Sequence, residues 1–70
     1  MNMIPDDQLI IYNYIVTNIN LNEFNIYYNR NDNYYHIFFN TNQRDFTLDY
    51  ISKLVIESGN IIDVITNIIQ

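Results

Sequence analysis

The sequence predicts a small α+β domain in the order helix, β-hairpin, helix, helix, with an antiparallel sheet. Apolar residues recur at helical spacing through the first 20 residues and again over the last 23, whereas between Glu23 and Asn40 the period drops to two. A chain of 70 residues buries only roughly 60% of the surface its unfolded form exposes, so residues 1–70 read as one domain around one core. Disulfides are excluded because there is no Cys, and a single His cannot build a structural zinc site. Self-association is then the usual remaining support for so small a scaffold, and a homodimer is expected.

The first helix is expected from about Pro5 to Asn18. Proline needs no amide partner in a first turn, and Asp6 and Asp7 stand at the positive end of the helix dipole. Leu9, Ile11, Tyr12, Ile15, Val16 and Ile19 form a wide apolar face, leaving a polar stripe through Asn13, Thr17 and Asn20. Such a face requires cover on more than one side.

Aromatic and β-branched residues then flank the polar run Asn29 to Asn33, the mark of a hairpin. Pairing Tyr28 with Tyr35, Ile26 with Ile37 and Phe24 with Phe39 collects six apolar residues on one face. That register demands a loop of two or four residues, and Asn31-Asp32 suits the two-residue form because both tolerate the left-handed region. Asn25, Tyr27, Tyr34, His36 and Phe38 fall on the other face, which is either covered by a helix or used as an interaction surface, the covered arrangement being the commoner.

Thr47 is expected to cap a helix from about Leu48 to Glu57 that ends at a left-handed Gly59. Asn60 then caps a last segment to Gln70, with Asp63 in its first turn and Ile61, Val64, Ile65 and Ile68 on one seam. Its period is helical, although its β-branched content also suits a strand.

Thirteen Asn accompany a single Lys, although an AT-rich coding sequence favours both. Fourteen Ile and seven Tyr support that compositional bias, so positive charge looks excluded. Lys53, Arg30 and Arg44 face eight carboxylates, for a net charge of -5 and a pI near 4.2. Such a field repels phosphate and attracts basic surfaces, which points away from direct nucleic-acid binding and toward a partner that itself binds nucleic acid. An acidic chain kept soluble by its charge is the plainer account. The N-terminus has no basic region before an apolar run, and no apolar stretch reaches about 18 residues, so a cytoplasmic protein that neither crosses nor lines a membrane is expected.

Catalysis finds little footing, with one His, no Cys and no paired-carboxylate motif. Gly59 alone cannot cradle a phosphate. His36 and Asp32 are two metal-ligand types of scattered spacing, too few for a site, and no cofactor is expected. Phe46, directly before a helix cap, suits a hydrophobic staple. Tyr34, Tyr35 and Tyr50 suit packing, Asp45, Asp49 and Asp63 suit helix starts, and His36 suits a satisfied sheet position.

Tyr34-Tyr35, then nine residues, Asp45-Phe46, then three residues and Tyr50 form an ungapped pattern that resembles the small phage uracil-DNA glycosylase inhibitors. Gly59-Asn60 with Asp63 and Ile65 is similar to that family's second helix start, and the likeness spans residues 24–66. The N-terminal helix departs from the family, which begins with a strand, and the helix before Gly59 is longer. The resemblance implies a non-enzymatic, acidic, homodimeric DNA mimic that occupies the DNA cleft of a host glycosylase. Equivalent helices of two subunits would form an apolar pocket for the side chain that the enzyme pushes into DNA. By that resemblance Phe46 would line the pocket with Tyr50 beside it on the same helix, Asp45 and Asp49 would stand at its rim, and Glu57 would extend an acidic track. Tyr34, Tyr35 and His36 would belong to the contact surface, although the family places a glutamate where His36 stands. The same device could be aimed at another DNA-handling enzyme such as a CRISPR nuclease. A structural or regulatory self-assembly module is the alternative from a different class.

Overall fold

A computed structural model describes residues 3–70. The fold is α+β, ordered α1 (Asp6–Asn18), β1 (Phe24–Asn29), β2 (Tyr34–Phe39), β3 (Arg44–Thr47), α2 (Leu48–Ser58) and α3 (Ile61–Ile69), with a 3-10 turn at Leu21–Glu23. Two hairpins join the strands into an antiparallel sheet of order β1-β2-β3. The third strand is an addition to the expected order. Arg44–Thr47 is too short and too charged to show a period of two, and it is extended because the free edge of β2 gives its amides partners.

The β1–β2 register is the one anticipated: Phe24 faces Phe39, Ile26 faces Ile37 and Tyr28 faces Tyr35. Its loop, however, has four residues, not two, because pairing ends at Asn29 and Tyr34. The Asn29 side chain accepts from the Asn31 N–H at 2.8 Å, the Asp32 carboxylate accepts from the Tyr34 N–H at 3.0 Å, and Asn33 takes the left-handed conformation at φ 63°. These local bonds replace the two extra ladder bonds of a tighter turn. The β2–β3 loop repeats the device, with Gln43 left-handed at φ 55° and the Asn42 side chain accepting from the Arg44 N–H at 3.2 Å.

All three helices cover one face of the sheet. Ile11 and Ile15 of α1, Leu48 and Ile51 of α2, and Val64, Ile65 and Ile68 of α3 pack with Phe24, Ile37 and Phe39 to form the core. A buried side chain of this kind contributes roughly 1.5–3 kcal/mol, which is where a chain without staples finds its stability. Ser52 fastens α2 to α1 by donating to the Asp7 carbonyl at 3.2 Å.

The caps fall where the sequence placed them. Thr47 Oγ1 accepts from the Tyr50 N–H at 3.0 Å, Gly59 closes α2 at φ 72°, and the Asn60 side chain accepts from the Asp63 N–H at 3.2 Å. That last cap opens α3 as a helix and overrides its β-branched content. Pro5 lies just outside α1, its carbonyl accepting from the Gln8 and Leu9 amides. The second sheet face carries no helix, so the covered arrangement does not hold. Among the described residues no helix is long and apolar enough to cross a membrane.

Candidate functional site

Strand β3 runs into α2 without a loop, since Thr47 is both the last strand residue and the helix cap. Successive strand side chains point to opposite faces, so Asp45 and Phe46 diverge. Phe46 turns to the helix side, half-buried, and meets the edge of Phe39 at 6.4 Å. Its ring lies parallel to that of Tyr50, with centroids 6.0 Å apart and planes within 4°, and the Arg44 guanidinium sits 5.2 Å from its centroid. Tyr50 remains 49% exposed. The two aromatic residues thus meet as expected, but Phe46 belongs to β3, not to the helix of Tyr50, and both its ring contacts and its cation come from its own chain.

Asp45 does not flank that pair. Its carboxylate lies on the helix-free face, where it accepts from the Tyr27 hydroxyl and, 2.6 Å away, from His36 Nδ1. The other ring nitrogen, Nε2, stands 2.6 Å from the Asp32 carboxylate, and the ring stacks on Tyr27 at 5.2 Å. A carboxylate offers no proton to share, so with an acceptor at each nitrogen both must carry hydrogen. The imidazolium form of His36 satisfies both contacts, and the ring is buried to 9% exposure beneath its own partners.

The electrostatics follow. Burial on its own would lower the His36 pKa, but hydrogen bonds to Asp45 and Asp32, reinforced by their charge, outweigh it and hold the ring above its ordinary 6.5. Desolvation would raise Asp32, yet the Tyr34 N–H and the His36 ring prevail and hold it below the usual carboxylate range. Chiefly through its hydrogen bond to Asp45, the Tyr27 phenol is pushed up to about 12. Comparison with known protein families, with curated proteins and with solved structures returns no match.

The remaining sequence-derived residues separate. Tyr34 and Tyr35 diverge: Tyr34 stands exposed, and Tyr35 turns inward, half-buried, against Tyr28 at 5.2 Å. Asp49 is neutralised by Lys53 one turn on, 3.1 Å away, and this hydrogen bond, with a smaller contribution from the nearby Tyr34 phenol, raises the Lys53 pKa. Glu57 lies eight residues beyond Asp49, about 12 Å along α2, on the wall of a 350 Å³ groove shared with Leu54, Val64 and Ile68. Glu57 is thus set apart from Asp49 along α2.

Tyr27 and Arg44 are the partners that sequence reasoning missed, whereas Asp32 was set beside His36 only as a metal-ligand type and is instead its hydrogen-bond partner. Tyr27 stands directly opposite His36 in the anticipated register, so that pair was within reach. Asp45 could be joined to them only once β3 was known. A ring that already carries both protons has no lone pair with which to accept another, so His36 in this state orders the surface. Among the described residues no group of three or more His, Asp or Glu is placed to hold a metal ion.

Proposed function

We propose that the chain is a non-enzymatic inhibitor that docks by its acidic surface on the DNA-binding cleft of a DNA-handling enzyme, with uracil-DNA glycosylase the first target to test. The observation that carries this reading is the parallel Phe46–Tyr50 pair: an open aromatic ledge at the β3–α2 corner of a chain with net charge -5. A half-exposed Tyr50 ring backed by Phe46 is what a side chain that wedges into DNA would meet, while the net negative charge of the chain steers a basic cleft toward it. Asp6, Asp7, Glu23, Glu57 and Asp63 have no cationic partner among the described residues and supply that field. The ledge is complete within one protomer, so docking on this reading needs no pocket shared between copies.

Excision of uracil from duplex DNA by a purified glycosylase, with the protein in excess, tests the reading. Loss of cleavage that is restored by Tyr50→Ala is the expected result. Undiminished cleavage removes the glycosylase as target, and undiminished DNA binding across several basic DNA-handling enzymes, a CRISPR nuclease included, removes the whole class and favours the self-assembly module.

A further inference from the structure

The two edges of the sheet are not alike. Strand β3 is four residues long, carries Arg44 and Asp45 and is held at one end by the start of α2, all features that discourage a further strand. Strand β1 is six residues long, reads Phe-Asn-Ile-Tyr-Tyr-Asn, and has no charge, proline, glycine or bulge.

The backbone direction of each β1 residue is fixed by its bonds. The Asn40 N–H donates to the Glu23 carbonyl and the Asn33 N–H to the Asn29 carbonyl, each at 2.8 Å, so the odd-numbered residues of this strand turn their amides toward β2. Phe24, Ile26 and Tyr28 therefore turn theirs outward, where no strand pairs with them among the described residues. On the helix side of this edge lies a cleft of about 480 Å³ between α1 and β1, lined by Tyr12, Val16, Leu21, Phe24 and Ile26.

We infer that β1 is the seam of a symmetric dimer, pairing antiparallel with β1 of a second copy to give one six-stranded sheet. A second copy is the fitting occupant for two reasons. Antiparallel pairing of identical edges matches outward N–H to outward C=O on both chains about a two-fold axis, a self-complementary interface that closes. It also sets Glu23, at the start of one strand, at the end where Arg30 follows the other. Neither residue has an ion-pair partner among the described residues. A parallel arrangement would set like beside like. Two registers, centred on Ile26 or on Tyr27, join outward-facing residues, and both use the Ile26 N–H. The seam lies on the edge away from Phe46 and Tyr50, which would stand at opposite ends of the joined sheet, about 24 Å apart. This inference does not depend on the inhibitor reading.

Light scattering on the full chain, with amide hydrogen exchange, tests it. A dimer is expected, with the Ile26 and Tyr28 amides protected and their protection lost on dilution. A chain prepared by chemical synthesis with N-methyl at Ile26 keeps every side chain and every bond of the protomer but loses one seam hydrogen bond from each copy. Its dimer is expected to be roughly thirtyfold weaker, with an unchanged circular dichroism spectrum. Ile26→Pro is the recombinant counterpart, since proline is tolerated where an edge N–H faces solvent. A wild-type chain that stays monomeric, an N-methyl chain that dimerises as tightly as wild type, or open-ended polymers in place of a closed dimer would each overturn the proposal.

Discussion

His36 and Asp45, on neighbouring strands, bring Nδ1 and Oδ1 to 2.6 Å of one another, and Asp45 reaches Tyr27 with its other oxygen. This bond ties β3 to the middle of the sheet on the face that no helix covers. A fourth group, Asp32 in the first hairpin loop, is drawn in through the far side of the same ring. The four make one ionic cluster.

Stability is expected to peak in mildly acidic solution. The His36 pKa is raised in the folded chain, so its contribution is complete below the ordinary 6.5 and fades as pH climbs through the folded value. Asp32 is shifted the other way: its contribution is complete above its ordinary 3.8 and fades as pH falls through the lowered folded value. Urea midpoints between these limits should therefore exceed those at pH 8 and pH 3. His36→Gln should cost about 1–2 kcal/mol at pH 6, discounted for partly exposed partners, and should abolish the alkaline decline. A decline that persists in the variant would assign it to another group.

Tyr27 reports on Asp45. In Asp45→Asn the phenol should titrate below about 12, back toward its ordinary 10.0, as followed by ultraviolet absorbance. Stability should fall by about 1 kcal/mol, since the lost bonds are charge-assisted but partly solvated.

At the corner between β3 and α2, two truncations should behave differently. Tyr50→Ala removes a ring that is half in water and should cost at most about 1 kcal/mol, whereas Phe46→Ala also loses Phe39 and the Arg44 contact and should cost roughly 2–3 kcal/mol. Both should abolish inhibition in the uracil-excision assay. Because Tyr50→Ala stays folded, an unimpaired inhibitor would remove the ledge from the binding surface.

Two loop positions should respond with opposite signs. An alanine at Gly59, φ 72°, meets no atom within 4 Å, so Gly59→Ala pays only the left-handed strain of about 1–2 kcal/mol. At φ 55° Gln43 already bears that strain, and Gln43→Gly should raise stability by up to about 1 kcal/mol. Thermal melts of the two variants check both.

The helix caps, the hairpin register and the core seam of α3 were legible because each rests on local chemistry: a hydroxyl or amide at a cap, a lone glycine, an alternation over six residues. What could not be read depended on distant chain. Arg44–Thr47 is a strand only because β2 lies beside it, and from that one omission follow the divergence of Asp45 and Phe46 and the missing partner of His36. The loop length was misjudged for a subtler reason. The Asn29 and Asp32 side chains accept from backbone amides two residues on, and the Asn33 side chain accepts from the Tyr28 hydroxyl, which four residues permit and two do not. As for the candidate site, the meeting of Phe46 with Tyr50 was foreseen, whereas the ionic cluster was not.

Since Thr47 ends a strand and begins a helix in a single residue, the corner that bears Phe46 and Tyr50 contains no hinge. Its rings are set before any partner arrives, so little disorder remains there to be surrendered on contact, and a complex formed through this corner should gain its tightness from rigidity already built into the free chain.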